Sequence, residues 1–204
     1  IKLNIMELNT PNKEIITNKS AIKITKRDGR LEPLDIDKIH FVVEEACEGL
    51  AGVSSSQIEI NANIQFYDGM TTKEVQQILV RSANDLISLE APNYQYAAAR
   101  LLSYDVRKEA HGQYEYMPLL KLILRNIKAG VYDKGIVEKY NKTEIKKMNT
   151  WIKRERDLDF TYAGLRQVVD KYLVQDRSSG DLFETPQDMY MMIAATLFAE
   201  YPKN

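Results

Sequence analysis

ITKRDGRLEPLDIDKI, residues 24–39, is the stretch around which the chain is organised. It predicts a short strand, a tight Asp-Gly turn, a returning strand and the start of a helix. Asp-Gly between two extended runs is a strong hairpin signal, because the turn requires a positive φ that glycine adopts at no steric cost. Two strands cannot bury a core alone, so the hairpin should lie as a lid on the following helices. Lys26, Arg27 and Lys38 would then converge near its edge, an arrangement that suits a polyphosphate.

Composition limits the class of protein. The chain has 204 residues and 44% hydrophobic content, enough for one large domain or two small ones. Its net charge is -1, from 28 basic and 29 acidic residues. This balance argues against a general nucleic-acid or membrane-surface binder, so any anion site must be local.

The single cysteine, Cys47, excludes an internal disulfide framework, a cysteine-rich zinc site and dithiol chemistry within this chain. The longest apolar run, residues 189–199, is too short to span a bilayer, and no signal-peptide pattern opens the chain. These features predict a soluble, cytoplasmic protein.

Residues 1–21 are polar and weakly patterned, and we expect a tail there with at most one strand. The apolar spacing then predicts helices from Asp35 or Asp37 to Gly49, from Ser54 to Gly69, from Thr71 to about Ile87, and from Pro92 to Gly112. The second of these should bury Ile60, Ile64 and Tyr67. A hairpin over four helices makes one unit, residues 22–112, of about ninety residues, an ordinary domain size.

Residues 113–204 predict a second helical region. The expected elements are helices at 118–130, 143–154 and 160–170, a hairpin pairing 172–174 with 182–183, and a final helix starting at Thr185 and Pro186. Asp157 and Asp159 belong to a charge run that we interpret as a solvated helix end. The predicted fold class is therefore mainly α with small β-hairpins.

The cations of the hairpin have two interpretations. Lys26 and Arg27 fit a turn with solvated charges, but Lys38 enters at a helix start, Thr72 lies where backbone amides are free, and Lys108 closes the fourth helix. Several cations and a helix start are what a triphosphate needs. Glu32 suits an adenine amino group or a sugar hydroxyl instead.

Other candidate residues have simpler interpretations. Ile24, Leu34 and Ile39 fit either the walls of a base pocket or the core. His40 and His111 lack partners at metal spacing, so no metal site is predicted. Cys47 lies on an apolar stripe, where a small buried hydrophobe is expected.

The hairpin sequence, with Glu32 and with DKI at 37–39, resembles the ATP-cone, a regulatory nucleotide-binding domain. That resemblance alone leaves anaerobic reductases and a zinc-ribbon repressor of reductase genes open, although the repressor needs four cysteines. Further similarity lies in NYQYAAARL at 93–101, ERD at 155–157, FTY at 160–162, KYLVQ at 171–175 and ETPQ at 184–187. These motifs resemble the N-terminal part of the large subunit of class I ribonucleoside-diphosphate reductase, over residues 22–202.

The resemblance implies an enzyme family that makes deoxyribonucleotides for DNA synthesis with electrons from thioredoxin or glutaredoxin. Its radical and redox cysteines lie in a ten-stranded barrel, which we expect beyond Asn204. No catalytic residue and no cofactor of its own is therefore predicted for this chain. It implies instead an allosteric site that takes ATP, the activator, or dATP, the inhibitor, with Mg.

Site residues follow from the resemblance, position by position. The implied phosphate contacts are Lys26, Arg27, Thr72 and Lys108 with Lys38 nearby, the implied base contacts Glu32 and Asp35, and the implied pocket walls Ile24, Leu34 and Ile39. Gln76 departs from the family pattern, since relatives commonly carry His or Asp there facing the nucleotide. This leaves the discrimination between dATP and ATP open.

The resemblance also implies partners. The small radical-generating subunit would dock on the second helix, including Ser56 and Glu59, and the rest of the large subunit would form a homodimer. Neither nucleic acid nor membrane is an expected partner. An alternative function is a helical docking module that no longer responds to nucleotides, an interpretation that Gln76 keeps open.

Overall fold

The predicted hairpin forms the start of the described structure. A computed structural model describes residues 22–201, so the predicted tail lies outside them. Strands β1 (Lys23–Thr25) and β2 (Leu31–Pro33) pair antiparallel. The Lys26 amide donates to the Arg30 carbonyl at 2.8 Å, and Gly29 has a φ of 83°. Asp28 has no positive φ, so the loop has three residues and uses glycine alone in the left-handed region.

Four helices support this hairpin: α1 (Ile36–Cys47), α2 (Ser55–Asn63), α3 (Thr72–Asn84) and α4 (Tyr94–His111). Their shared core includes Val43, Ile58, Leu79 and Leu101, all nearly without exposure. The Thr25 amide donates to the Met70 carbonyl at 2.8 Å, which fixes β1 beside the segment that leads into α3. The lid prediction is confirmed.

The prediction for α2 was wrong in length and in face. The helix ends at Asn63 rather than near Gly69, and it buries Ile58 and Ala62. Ile60 and Ile64 are 63% and 81% exposed. This short helix has two apolar stripes, one with Ile58 and Ala62 and one with Ile60 and Ile64. The stripe that contains the small Ala62 is the one that packs against the neighbouring helices. Tyr67, also predicted inward, is exposed and donates to Glu74 at 2.7 Å.

A second core lies after α4. The elements that follow α4 are α5 (Leu119–Lys128), α6 (Gly135–Lys139), α7 (Lys142–Trp151), a 3-10 helix (Arg154–Leu158), α8 (Tyr162–Lys171) and α9 (Pro186–Leu197). The second core is formed by α5, α6 and α7 with Ala195 of α9, whereas Leu165 and Val169 of α8 belong to the first core. The sequence did not predict α6, because five residues are too few to show a helical period. The predicted helix 143–154 ends earlier, at Trp151. Within residues 22–201 no helix is long and apolar enough to cross a bilayer.

The predicted second hairpin is only partly formed. Gln175 and Leu182 make a single antiparallel bridge, and the Phe183 amide donates to the Val174 carbonyl at 3.1 Å. Gly180, with a φ of 79°, lies in the predicted turn. The ladder is too short to count as a strand pair within the described residues.

A buried polar cluster joins the end of α4 to the start of α9. The Met117 amide donates to His111 Nδ1 at 3.2 Å, so the ring proton lies on Nε2, 3.2 Å from Asp188 Oδ2. Arg154 Nη2 lies 2.7 Å from Asp188 Oδ1, and the Thr185 hydroxyl donates to Oδ2. Burial alone would raise the pKa of Asp188, but His111 and Arg154 outweigh it and lower that pKa to about 2.

The prediction that the charge run is solvated was wrong for Asp157. Its side chain is buried, and neither carboxylate oxygen meets a donor with good hydrogen-bond geometry in the described part of the chain. Burial raises the pKa of Asp157 to about 7, although the nearby Gln187 and Arg154 oppose the rise. The tertiary packing of α9 against the 3-10 helix encloses a residue whose sequence context is highly charged.

This burial gives a pH prediction. Because the pKa is raised in the folded chain, the protonated form stabilises the fold below pH 4, and that stability is lost as pH rises through about 7. The free energy of unfolding of Asp157→Asn relative to wild type should therefore increase as pH rises from 4 to about 7. Above that pH the difference should stay constant. Urea unfolding of both proteins at pH 5 and pH 8 measures the difference. An unchanged or smaller advantage of the variant at pH 8 would contradict the assignment.

Candidate functional site

A cleft of about 670 Å³ opens where the hairpin turn meets the start of α3 and the end of α4. The hairpin supplies Thr25, Lys26 and Arg27. Its other lining residues are Thr71, Thr72, Lys73, Glu109, Arg125, Ala129, Asp181, Leu182 and Phe183. Lys26, Arg27 and Thr72, three of the predicted phosphate contacts, therefore share one cavity.

Lys108, a fourth predicted phosphate contact, lies next to Arg27 at the end of α4. Arg27 Nη1 donates to the Lys108 carbonyl at 3.2 Å. Burial, followed by the charges of Arg27 and Lys26, lowers the pKa of Lys108. Like charges held this close favour a bound anion, because each cation is destabilised by its neighbours.

The start of α3 adds a helix terminus to the cleft. Thr71 and Glu74 form a capping box, with the Glu74 amide donating to the Thr71 hydroxyl at 3.2 Å. The Thr71 amide donates to the Glu74 carboxylate at 2.7 Å, which lowers the pKa of Glu74. The first amides of a helix have no partner inside it, so those of Thr72 and Lys73 add positive potential beside the cations.

Glu32 lies next to Lys26 on the hairpin. Its carboxylate is 2.6 Å from Lys26 Nζ, and both side chains are about a third exposed. The predicted base contact and a predicted phosphate contact thus pair with each other in the absence of ligand. A group that attracts Lys26 would free the carboxylate to accept another hydrogen bond.

Asp35 and Lys38 pair with each other and do not line the cleft. Asp35 caps α1, accepting from the Lys38 amide at 3.1 Å, and Lys38 Nζ lies 3.2 Å from the same carboxylate. The Lys38 amide and then its side chain lower the pKa of Asp35. Lys38 is exposed, so its convergence with the other hairpin cations on a phosphate stays a prediction.

The predicted pocket walls belong mostly to the core. Ile24 and Ile39 are buried there, and Leu34 packs partly against it. Gln76 Nε2 donates to the Leu101 carbonyl at 2.8 Å, so its amide joins α3 to α4. The contacts of these four residues with a nucleotide stay predictions.

Sequence reasoning missed several residues of the cleft. Lys73 lies 3.2 Å from Glu109. Its position next to Thr72 in the sequence could have identified it as a residue of the cleft. Arg125 Nη1 donates to the Ala110 carbonyl at 2.6 Å and Nη2 to the Phe183 carbonyl at 2.9 Å. Arg125 and Asp181 come from the second helical region, and no local pattern places them beside the hairpin.

Ser56 and Glu59, the predicted contacts with a partner, both belong to α2. Ser56 is exposed, and Glu59 lies 2.8 Å from His40 Nδ1. The hydrogen bond to Glu59, followed by the charge of Glu44, raises the pKa of His40. Phe41 and Ile60, their sequence neighbours, are 66% and 63% exposed, so this surface combines acidic and apolar groups.

Cys47 does not line the cleft. Cys47 is about half buried, and burial raises the pKa of its thiol to about 11, as expected for a packing residue. Among residues 22–201, no three His, Cys, Asp or Glu side chains group closely enough to hold a metal.

A hairpin lid over four helices with a cationic cleft defines the class of the first domain, and comparison with known families agrees. Residues 22–109 match the ATP cone domain. Residues 158–203 match the ribonucleotide reductase all-alpha domain. The first match covers the hairpin and its four helices, and the second covers α8 and α9.

Curated relatives give the same family. The alpha subunit of ribonucleoside-diphosphate reductase 1 from Escherichia coli is 44% identical over 180 residues, covering 88% of this chain and 24% of the relative. The alpha subunit from Enterobacteria phage T4 is 40% identical over 183 residues, which cover 89% of this chain and 24% of the relative. The alpha subunit from Helicobacter pylori is 39% identical over 176 residues, which cover 86% of this chain and 22% of the relative.

The chain thus contains an ATP cone domain and a ribonucleotide reductase all-alpha domain, and it is similar to the N-terminal region of ribonucleoside-diphosphate reductase alpha subunits. It spans about a quarter of the length of the curated relatives it matches.

Proposed function

We propose that this chain is the regulatory N-terminal region of a ribonucleotide reductase large subunit and that it binds ATP or dATP. The observation that carries the proposal is the cleft that holds Lys26, Arg27 and Thr72 beside Lys108. The whole enzyme would reduce ribonucleotides to deoxyribonucleotides with electrons from thioredoxin or glutaredoxin. The chemistry would take place outside this region.

The triphosphate would lie against Lys26, Arg27 and Lys73 and the first amides of α3. These groups offer both charge and directed donors, which are the features that phosphate oxygens require. Mg would accompany the nucleotide as the counter-ion of its phosphates. Lys73 would leave Glu109 to contact the phosphates. The free energy lost with this ion pair would be small because the pair is partly exposed.

The adenine would lie toward Glu32. Once Lys26 turns to the phosphates, the Glu32 carboxylate loses its partner and accepts a hydrogen bond from the adenine amino group. Guanine has a carbonyl at that position, which would repel the carboxylate. The exchange therefore supports a preference for adenine nucleotides.

Discrimination between ATP and dATP depends on one hydroxyl. One hydrogen bond contributes about 1 kcal/mol, or about fivefold in affinity. Since the Gln76 amide is occupied by the Leu101 carbonyl, its oxygen is the group left to face a ribose. Strong inhibition by dATP would then require a change in subunit assembly.

The proposed partners follow the same family assignment. The small radical-generating subunit would dock on α1 and α2 around Ser56 and Glu59. The remainder of the large subunit and a second copy of it would complete the enzyme, in the cytoplasm.

A docking module without nucleotide response is the second candidate function. It is favoured by the exposed Phe41 on α1, Ile60 on α2 and Ile64 just after α2, because exposed apolar side chains in a group mark interaction surfaces. Gln76 supports it too, since its amide is engaged within the fold.

Thermal unfolding separates the two candidates. At a hundred times its dissociation constant, Mg-ATP or Mg-dATP should stabilise the folded chain by about 2.7 kcal/mol, which raises Tm by several degrees. Adenosine, which lacks phosphates, is the control and should give a much smaller shift. No shift with either triphosphate would favour the docking module.

A further inference from the structure

Asp105 lies on α4 one turn before the residues that the hairpin and α3 contact. Arg27 binds the Lys108 carbonyl, and Lys73 pairs with Glu109. Residues three and four positions apart share a helix face, so Asp105 lies on the face that receives both cations.

The Asp105 carboxylate has no direct partner there. Within the described 22–201 range it forms no ion pair or hydrogen bond of good geometry. Burial, followed by the charge of Glu109, raises its pKa, while Lys73, Arg27 and Lys108 act in the opposite direction. These four residues are the charged groups that face it from α4, α3 and the hairpin. An anion therefore lies among the cations proposed to take the triphosphate.

We propose that Asp105 is a built-in counter-anion of the phosphate-binding cations and weakens triphosphate binding while it is ionised. The inference rests on the proposed function of the cleft. A triphosphate brings several negative charges toward a half-buried carboxylate, and their repulsion is poorly screened at such a site. The carboxylate also shares the field of Arg27, Lys73 and Lys108 with the ligand.

The proposal fixes the direction of a pH effect. Protonation of Asp105 removes the repulsion, so the penalty is greatest at alkaline pH and shrinks as the solution is acidified. ATP itself gains a proton over the same range, which weakens its binding. The ratio of the dissociation constants of wild type and Asp105→Asn cancels this property of the ligand.

Calorimetry with Mg-ATP at pH 8 and pH 5 tests the inference. Asp105→Asn should bind about tenfold more tightly than wild type at pH 8, and this ratio of affinities should be smaller at pH 5. Asp105→Ser, which also lacks the charge, should behave alike. Asp170→Asn is the matched control, because it removes one charge from the exposed α8 pair with Arg166 and should leave affinity unchanged.

The outcomes are distinguishable. Affinities at pH 8 equal to or weaker than wild type in both Asp105 variants would overturn the inference and leave the proposed function standing. A ratio that stays constant to pH 5, or equal tightening by Asp170→Asn, would also overturn it. Absence of binding by wild type and all variants would overturn the proposed function together with the inference.

Discussion

Replacing both hairpin cations, Lys26→Ala together with Arg27→Ala, should lower the affinity for ATP and dATP by at least about a hundredfold. Each charge-assisted hydrogen bond to a phosphate contributes roughly 1.5–3 kcal/mol, so two lost contacts cost about 3 kcal/mol or more. Calorimetry of wild type and double variant measures the loss directly.

The fold should tolerate this change. Arg27 is exposed, and the pair of Lys26 with Glu32 is partly exposed, so each contributes little to stability. Lys134→Ala with Arg166→Ala is the matched control, since both side chains form exposed pairs within helices distant in sequence from the hairpin. Undiminished nucleotide binding by the Lys26 and Arg27 variant would exclude the proposed site.

Asp188→Ala should destabilise the chain by about 3–5 kcal/mol, the cost of leaving one partner of a buried ion pair alone. Arg154 would lose its carboxylate, His111 its neighbour, and α9 the side chain that completes its capping box with Thr185. Urea unfolding followed by circular dichroism gives the difference in free energy.

The pH range of this effect follows from the pKa of Asp188, about 2 in the folded chain. A lowered carboxylate pKa gives stability that is present above its ordinary value and is lost as pH falls toward 2. The loss in Asp188→Ala should therefore be constant from pH 8 to pH 5. Asp170→Ala, which breaks an exposed pair, should cost less than about 1 kcal/mol. Equal losses in the two variants would show that the buried cluster does not stabilise the junction.

Local chemistry made the hairpin and most helix starts predictable from the sequence. Gly29 has the predicted positive φ, and helices start as predicted at Ser54, Thr71 and Thr185 with Pro186. Each depends on residues within a few positions of one another, where side-chain chemistry decides the backbone.

Non-local packing decided what the sequence did not predict. The buried face of α2 depends on which apolar stripe meets the neighbouring helices, and Asp157 is enclosed by an element that lies thirty residues further along. Arg125 and Asp181 reach the cleft from the second region for the same reason. Whether the domain boundary lies near residue 112 stays a prediction.

The candidate site was predicted in part. Family resemblance selected Lys26, Arg27, Thr72 and Lys108, which the fold brings together. It could not reveal that Lys38 pairs with Asp35, since an exposed lysine chooses its partner by local geometry. Nor could it reveal the engagement of Gln76 with Leu101, which requires the packing of α3 on α4.

A crystal structure of the chain with Mg-ATP tests the central claim most directly. We expect the triphosphate in the cleft, within hydrogen-bond distance of Lys26, Arg27 and the first amides of α3, with Glu32 released from Lys26 and near the adenine. Nucleotide bound elsewhere, with the Lys26 and Glu32 pair intact and Arg27 still on the Lys108 carbonyl in an empty cleft, would contradict it.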